Sequence, residues 1–498
     1  MTKKYFDQLA SSFFSLLKSN SSNNEWGVER SVEWSEQVHP IFNELVSLNL
    51  HYEDTLFVRF NQGLVRQNTH VLQPDLTILY QCQIVTEIAN PVTTASTTSA
   101  PVLSTKEIKM TINLSGHENF DNDFQALQLA LQKCRQMAPQ LPTIAFPTVI
   151  QNNGQSNNQD LNAKAAKMSL PSYETYLHDI TECLEPSNLD LAGFLTSGKI
   201  IIANKNSLGQ DHWFATENFF FDYSLYTVNA AKENKSIKGC YSGLTWDKNI
   251  LKQKIEMAAQ QLTVLQKASK SIQTGKYRVY LAPAAVAEIM DLIRWGFGYE
   301  YYKDGNSPFK DLYEKNKSFS PLFHLQENFS LGFGPRFNSL GEISSEQIPL
   351  IQNGQMKNLL VSSRSALEYK LESNQADVYE CMRAPEISTG SLSATDIFSE
   401  LGTGIYINNL HYLNYSDVPS AKITGMTRYA CFWVQDGQIE APIQDMRFDA
   451  SLYDIFGSEL VAITSHAEVA PDVLTYDQRA VGASKTPGMI IKDFPITL

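Results

Sequence analysis

Two dipeptides, Asn353-Gly354 and Asp436-Gly437, each stand between apolar, β-prone runs. Asn-Gly and Asp-Gly supply the paired positive φ angles of a type I′ turn, whose twist matches that of the strands it joins. Ile351 to Leu360 and Phe432 to Ile439 therefore read as hairpins, and they commit the C-terminal part of the chain to a β-rich domain. Arg278 to Ala282 alternates like a strand, and Gly404 to Asn408 reads as a buried strand after a Gly-Thr-Gly turn. No repeat of fixed period is present.

The rest of the chain mixes both periods. Phe6, Leu9, Phe13 and Leu16 recur at helical spacing. Thr55 to Phe60 and Leu64 to Asn68 flank Asn61-Gln62-Gly63, a further hairpin. Lys106 to Leu114 alternates as a strand, and Phe124, Leu127, Leu131 and Cys134 mark a helix with Asp121 or Asp123 placed to cap it. Short β-like runs follow at Gly198 to Ala203 and Phe219 to Val228. Leu251, Ile255, Ala258, Leu262 and Leu265 then form one helical stripe, with Gly275 beyond its end. The Thr/Ser-rich stretch from Pro91 to Pro101 and the Asn/Gln-rich stretch from Gln151 to Asn162 cannot bury apolar surface and read as exposed loops. These signals divide the chain into an N-terminal α+β domain (1–150), an Asn/Gln-rich loop (151–165), a middle segment ending in a long helix (166–274) and a β-rich C-terminal domain (275–498).

Hydrophobic residues make up 43% and charged residues 19%, which supports a packed core. The net charge of −13 argues against a nucleic-acid backbone as partner, since phosphate binding needs clustered Lys and Arg. No apolar run approaches the ~20 residues of a membrane span. Lys3 and Lys4 are followed by Asp7 and Gln8 and not by an apolar core, so the start is an amphipathic helix and not a signal peptide. The expectation is a cytoplasmic protein with no nucleic-acid and no membrane partner. The six cysteines are widely separated and contain no CxxC pair, so buried free thiols are expected.

Several local patterns, in this order and spacing, resemble the TldD/TldE (PmbA) family. They are Phe57-Val58-Arg59-Phe60-Asn61-Gln62-Gly63-Leu64 near the start and Val279-Tyr280-Leu281-Ala282-Pro283 leading into a helix. Asn306-Ser307-Pro308-Phe309 and Ser320-Pro321-Leu322 follow, then Ile348 to Gly354 with Ser362 to Leu367 behind it. The last are Gly404 to Asn414, Ile423 to Arg428, and Phe432 to Ile439 with Pro442. The resemblance implies an α+β fold: an N-terminal α/β-mixed domain and a larger, β-rich C-terminal domain of the TldD/PmbA type. It also implies a peptide-processing role. Catalytic TldD-type members resemble zinc metallopeptidases that trim unfolded peptides or modified-peptide precursors, and they pair with a TldE-type partner of the same fold. The family's older label, modulator of DNA gyrase, comes from genetics.

In TldD-type members the helix after Leu-x-Pro carries HExxxH, which brings two imidazoles to one metal with a Glu as general base. Here that helix, Ala284 to Trp295, holds Glu288 and Asp291 and no histidine. No cysteine follows Cys431 to serve as the C-terminal ligand. Two carboxylates make a poor zinc site. Glu288 and Asp291 read as the solvated face of a helix whose core face is Val286, Ile289, Met290 and Ile293. His411 lines a peptide groove or is a hydrogen-bonded structural histidine. Arg428 holds a substrate carboxylate or makes a surface ion pair. The candidate peptide-binding residues are His411, Tyr412, Asn414 and Arg428. A Cys431–His411 pair has no supporting signature, and Gly332-Phe333-Gly334 is a turn and not a dinucleotide loop.

These readings favour a TldE-like subunit without metal or cofactor, paired with a TldD-like paralogue that carries the zinc, the two enclosing an unfolded peptide. One alternative is a metallopeptidase in its own right, in which His324, His411 and His466 converge with acidic residues. Another is a homodimeric peptide-binding module.

Overall fold

The chain is described by a computed structural model covering residues 1–18, 41–87, 102–152, 154, 156–160, 170–185 and 189–498. The Thr/Ser-rich stretch and part of the Asn/Gln-rich stretch lie outside the described residues.

One seven-stranded sheet runs through the first half of the chain. Its strands are β1 (Ile41–Asn61), β2 (Leu64–Glu87), β3 (Val102–Asn113), β4 (Asn157–Asp160), β5 (Asp190–Asn206), β6 (Asp211–Val228) and β7 (Asn234–Gly243). The hairpin read around Asn61 to Gly63 is present, with Gln62 at φ 55° and Gly63 at φ 66°. Its arms, at 21 and 24 residues, are far longer than the apolar runs suggested. β5 then pairs antiparallel with β1 from Ser47 to Phe60, so the middle segment's strands join those of the N-terminal segment in one sheet. The Asn/Gln-rich stretch is not all loop, because β4 runs parallel to His212–Ala215 of β6.

The helices α1 (Lys3–Lys18), α2 (Phe120–Met137), α3 (Tyr173–Leu184) and α4 (Lys248–Leu265) cover this sheet. Phe6, Leu9 and Phe13 of α1 are fully buried against Leu48, Leu50 and Ile78 of the strands. The predicted stripe of α4, Leu251 to Leu265, is buried against Phe219, Phe221 and Leu225. The cap of α2 is Asn119, whose side chain accepts from the Asn122 N–H, and not Asp121 or Asp123. Asp123 is instead 2% exposed and accepts from the Tyr5 hydroxyl at 2.6 Å, which ties α1 to α2. A buried carboxylate with partners already placed for it is worth more in that tie than as an exposed cap.

The C-terminal sheet has eleven strands. They are β8 (Gly275–Leu281), β9 (Leu325–Asn328), β10 (Gln347–Gln352), β11 (Gln355–Met356), β12 (Pro385–Ile387), β13 (Gly404–Asp417), β14 (Lys422–Gln435), β15 (Gln438–Pro442), β16 (Arg447–Ser451), β17 (Leu460–Pro471) and β18 (Ala483–Ile496). β8, β13, β14, β16 and β18 pair in a closed ring, β8 with β13 in parallel and the other neighbours antiparallel. Closure leaves no open edge within the ring. Val279, Leu281, Ile405, Ile407, Ile423, Phe448, Met489 and Ile491 are at most 1% exposed and belong to its core. Both Gly hairpins are present, with Asn353 at φ 52° and Gly354 at 70°, and Asp436 at 52° and Gly437 at 75°. β8 leads directly into a helix, α5 (Pro283–Ile293), with Pro283 at its first turn, where a missing N–H costs nothing. The buried residues of α5 include Val286, Ile289, Met290 and Ile293, as its spacing predicted. No helix among the described residues is long and apolar enough to cross a membrane.

One loop locks the halves together. Gly341, at φ +75°, presents its carbonyl to His212 Nε2 at 2.7 Å. A Cβ there would fall onto the Gln210 amide and Asn204 Oδ1. Gly341→Ala is expected to destabilise the protein by at least about 2 kcal/mol, from the left-handed backbone and the forced overlap together. Urea unfolding of the variant beside the parent checks this, and an unchanged midpoint contradicts it.

Candidate functional site

A cavity of about 440 Å3 opens where α5 faces the N-terminal sheet. Ala284, Ala287, Glu288, Asp291 and Arg294 line one wall. Their spacing of three and four places them on one helical stripe. Lys238, Gly239 and Cys240 of β7 form a second wall, with Asp222 behind them on β6. Asn409 to Leu413 of β13 and Ala470 to Leu474 at the end of β17 complete it. β7 has β6 as its sheet partner, and near Ala470 β17 pairs on one side with β18. Two strand edges therefore border the cavity.

Glu288 is not on a solvated face as its position in the helix suggested. Its Oε2 accepts from the Leu410 main-chain N–H at 2.5 Å and its Oε1 from Asn409 Nδ2 at 3.3 Å. Burial raises its pKa to about 7, against the pull of these two bonds. Periodicity separates core from non-core positions, but it does not tell a position facing water from one facing a second domain. Asp291, one turn on, is the solvated residue of the pair, with its side chain 77% exposed.

Lys238 lies near this carboxyl. Burial disfavours its charge, but Asp222, 3.8 Å away, and then Glu288 outweigh that and hold its pKa above the ordinary value. Burial raises Asp222. Burial also pushes the Cys240 thiol up to about 12, so it is protonated at neutral pH.

Of the candidate residues, the cavity takes in His411 and Tyr412, whose rings lie 4.0 Å apart. Tyr412 is 76% exposed and sits at φ +52° where the register of β13 slips between His411 and Asn414. A non-glycine residue held in that region is uncommon, and it turns the ring outward at the cavity mouth. Asn414 and Arg428 lie outside the lining. The Asn414 side chain accepts from the neighbouring Tyr415 N–H, and Arg428 pairs with Asp445 at 3.2 Å. Cys431 is buried and its thiol donates to the Arg428 carbonyl, away from His411. All six cysteines are free. The residues that sequence reasoning missed are Asp222, Lys238 and Cys240. Only Asp222 lay in a run read as β-like, and the approach of Lys238 and Cys240 to α5 is a long-range contact.

Among the described residues no three His, Cys, Asp or Glu side chains gather closely enough to hold a metal ion, and His324, His411 and His466 do not converge with carboxylates. The donors on α5 are two carboxylates without an imidazole or thiolate, so they do not fit the zinc chemistry that a HExxxH helix supplies.

A helix-covered sheet joined to a closed barrel, with a cavity along strand edges, defines an α+β protein. Residues 274–498 match the family described as PmbA/TldA metallopeptidase C-terminal domain. That match identifies the C-terminal part of the chain as a domain of the PmbA/TldD type. No curated protein sequence matches it. Its fold is shared by a proposed modulator of DNA gyrase from Thermotoga maritima, at 14% identity and TM-score 0.66 over 99% of this chain and 100% of that one. TldE from Thermococcus kodakarensis is similar at 13% identity and TM-score 0.69, over 92% and 97%. A proposed modulator of DNA gyrase from Bacteroides thetaiotaomicron is similar at 11% identity and TM-score 0.69, over 100% and 99%.

Proposed function

We propose that this chain is the metal-free, TldE-like subunit of a peptide-processing system, pairing with a zinc metallopeptidase paralogue and helping to enclose an unfolded peptide. The observation that carries the reading is the α5 wall of the cavity. It offers Ala284, Ala287, Glu288 and Asp291 where catalytic members resemble one another in carrying HExxxH. The strand edges at Lys238–Cys240 and Ala470–Pro471 suit an extended peptide, because main-chain hydrogen bonds to a sheet edge grip it with little regard to side chains. Tyr412 at the mouth adds an aromatic surface. On this reading the protein is cytoplasmic and dimerises with that paralogue.

Co-expression with a paralogue bearing HExxxH is expected to give one stable heteromer on a sizing column. Separate elution of the two chains overturns the pairing. The chain purified alone, without chelators, is expected to carry close to zero zinc per chain. A value near one refutes the metal-free assignment.

A further inference from the structure

Behind the loop from Asp472 to Gly482 lies a second cavity, of about 530 Å3. Its floor is the helix-free face of the N-terminal sheet, with Asn49 and His51 of β1, Asp75 and Thr77 of β2 and Ile202 of β5. His51 and Asp75 are directly opposed in the β1–β2 ladder, so their side chains stand together on that face. Among the described residues, both ring nitrogens of His51 and Oδ1 of Asp75 are buried without a hydrogen-bond partner. The Arg479 main chain passes near the ring but does not reach hydrogen-bond geometry.

Several other polar groups around this space are engaged. Arg383 donates to the Pro335 and Phe337 carbonyls and to Ser344 Oγ. Asn338 donates to the Ala376 carbonyl and accepts from the Leu340 N–H. The Thr77 and Thr111 hydroxyls bond each other at 3.0 Å. Arg294 donates to the Met382 carbonyl. Unfilled capacity is thus concentrated on one cross-strand pair. Leaving a single buried polar group unmade costs about 1–3 kcal/mol.

The space is far larger than the ~30 Å3 a water occupies and falls within the ~300–1,000 Å3 of small-molecule sites. Phe329 and Phe337 supply apolar wall. The charged groups around it are three carboxylates, Asp75, Asp377 and Asp477, against two guanidinium groups, Arg294 and Arg383. Burial lowers the His51 pKa to about 4, so at neutral pH the ring offers one acceptor nitrogen and one N–H.

We propose that this cavity binds a planar organic cation of the guanidinium or amidinium class, its N–H edge on Asp75 Oδ1 and the acceptor nitrogen of His51, its body against Phe329 and Phe337. Two parallel N–H groups match two adjacent acceptors, and the single excess negative charge favours a cation. The site is separate from the α5 cavity and does not depend on the peptide-processing reading.

Calorimetric titration of the full chain with benzamidine tests this. Saturable binding at one site per chain is expected. Asp75→Asn is expected to weaken it roughly tenfold or more, the equivalent of one hydrogen bond to a charged group. Benzyl alcohol, which has the ring without the cation, is expected to bind the parent weaker by a similar factor. Benzamidine is also expected to shift the His51 ring resonance, identified by its loss in His51→Gln. Absence of saturable binding, equal binding of benzyl alcohol, or equal affinity in a cooperatively melting Asp75→Asn overturns the proposal. If Asp75→Asn does not fold, the alcohol comparison and the His51 resonance decide. Displacement of benzamidine by agmatine alone marks a free guanidine as the ligand, and displacement also by a blocked Gly-Arg-Gly peptide marks an arginine side chain. Displacement by neither overturns the assignment.

Discussion

Arg479→Ala is expected to lower the stability of the protein by about 2–3 kcal/mol, the scale of a lost hydrogen bond from a buried charged group. Arg479 is 2% exposed, on a loop whose Tyr476 is 97% exposed. Its guanidinium donates to the Asn218 carbonyl at 3.2 Å and to Asn218 Oδ1, and lies over the Phe220 ring at 5.4 Å. Its main-chain N–H donates to Glu53 Oε2 at 2.9 Å. Burial lowers the Arg479 pKa to about 10 and raises that of Glu53, itself 1% exposed with Oε1 unpartnered among the described residues. Without the guanidinium, Glu53 keeps its desolvation and loses the opposing charge. Arg479→Lys should recover little, since an ammonium cannot reproduce the fork or the ring contact. Adding Glu53→Gln to Arg479→Ala should recover part of the loss by removing the stranded carboxylate. Urea midpoints for the four proteins measure this, and a loss below about 1 kcal/mol for Arg479→Ala would show that the loop is held by something else.

The second large effect concerns pH. His51 titrates near 4 in the folded chain against 6.5 ordinarily, so the unfolded chain binds the extra proton between these values. Stability from this group is present above 6.5 and lost as the pH falls towards 4. Glu288 titrates near 7 in the folded chain against 4.5 ordinarily, so the folded chain binds the extra proton. Stability from that group is present below 4.5 and lost as the pH rises through 7. Over their common window the two slopes, each about 1.4 kcal/mol per pH unit, oppose and largely cancel. Glu288→Gln should therefore unmask the histidine. Relative to the parent, the variant should gain about 3 kcal/mol between pH 4.5 and 7. His51→Gln should show the opposite trend, losing about as much over pH 4 to 6.5. Urea unfolding across this range measures both differences, and parallel curves for parent and variants would mean that neither group is shifted by burial.

What was legible beforehand follows from the range of each interaction. The turns at Gln62-Gly63, Asn353-Gly354 and Asp436-Gly437 were readable because a type I′ turn is decided by the residues within it. The α4 stripe was readable because its core face repeats at helical spacing. The cap of α2 was misassigned because Asp123 had a stronger claim on it from Tyr5, more than a hundred residues away. Within the candidate site, His411 and Tyr412 were found through the segment they share. Asn414 and Arg428, taken from nearby segments, lie outside the lining, because an irregular strand and its hairpin partner turn neighbouring side chains in different directions.

The turns, the helical faces, the β-rich C-terminal region and the lack of any imidazole on α5 are all carried by short stretches of residues. Each of these is a local property or a composition. It takes the assembled fold to pair β5 with β1, to turn Glu288 to a cavity and not to water, to set His51 and Asp75 on one face, and to bury Arg479 beside Glu53. Those outcomes depend on which surfaces meet and how much water they exclude. Desolvation and long-range strand register are properties of the assembled chain, and no short window of residues encodes them.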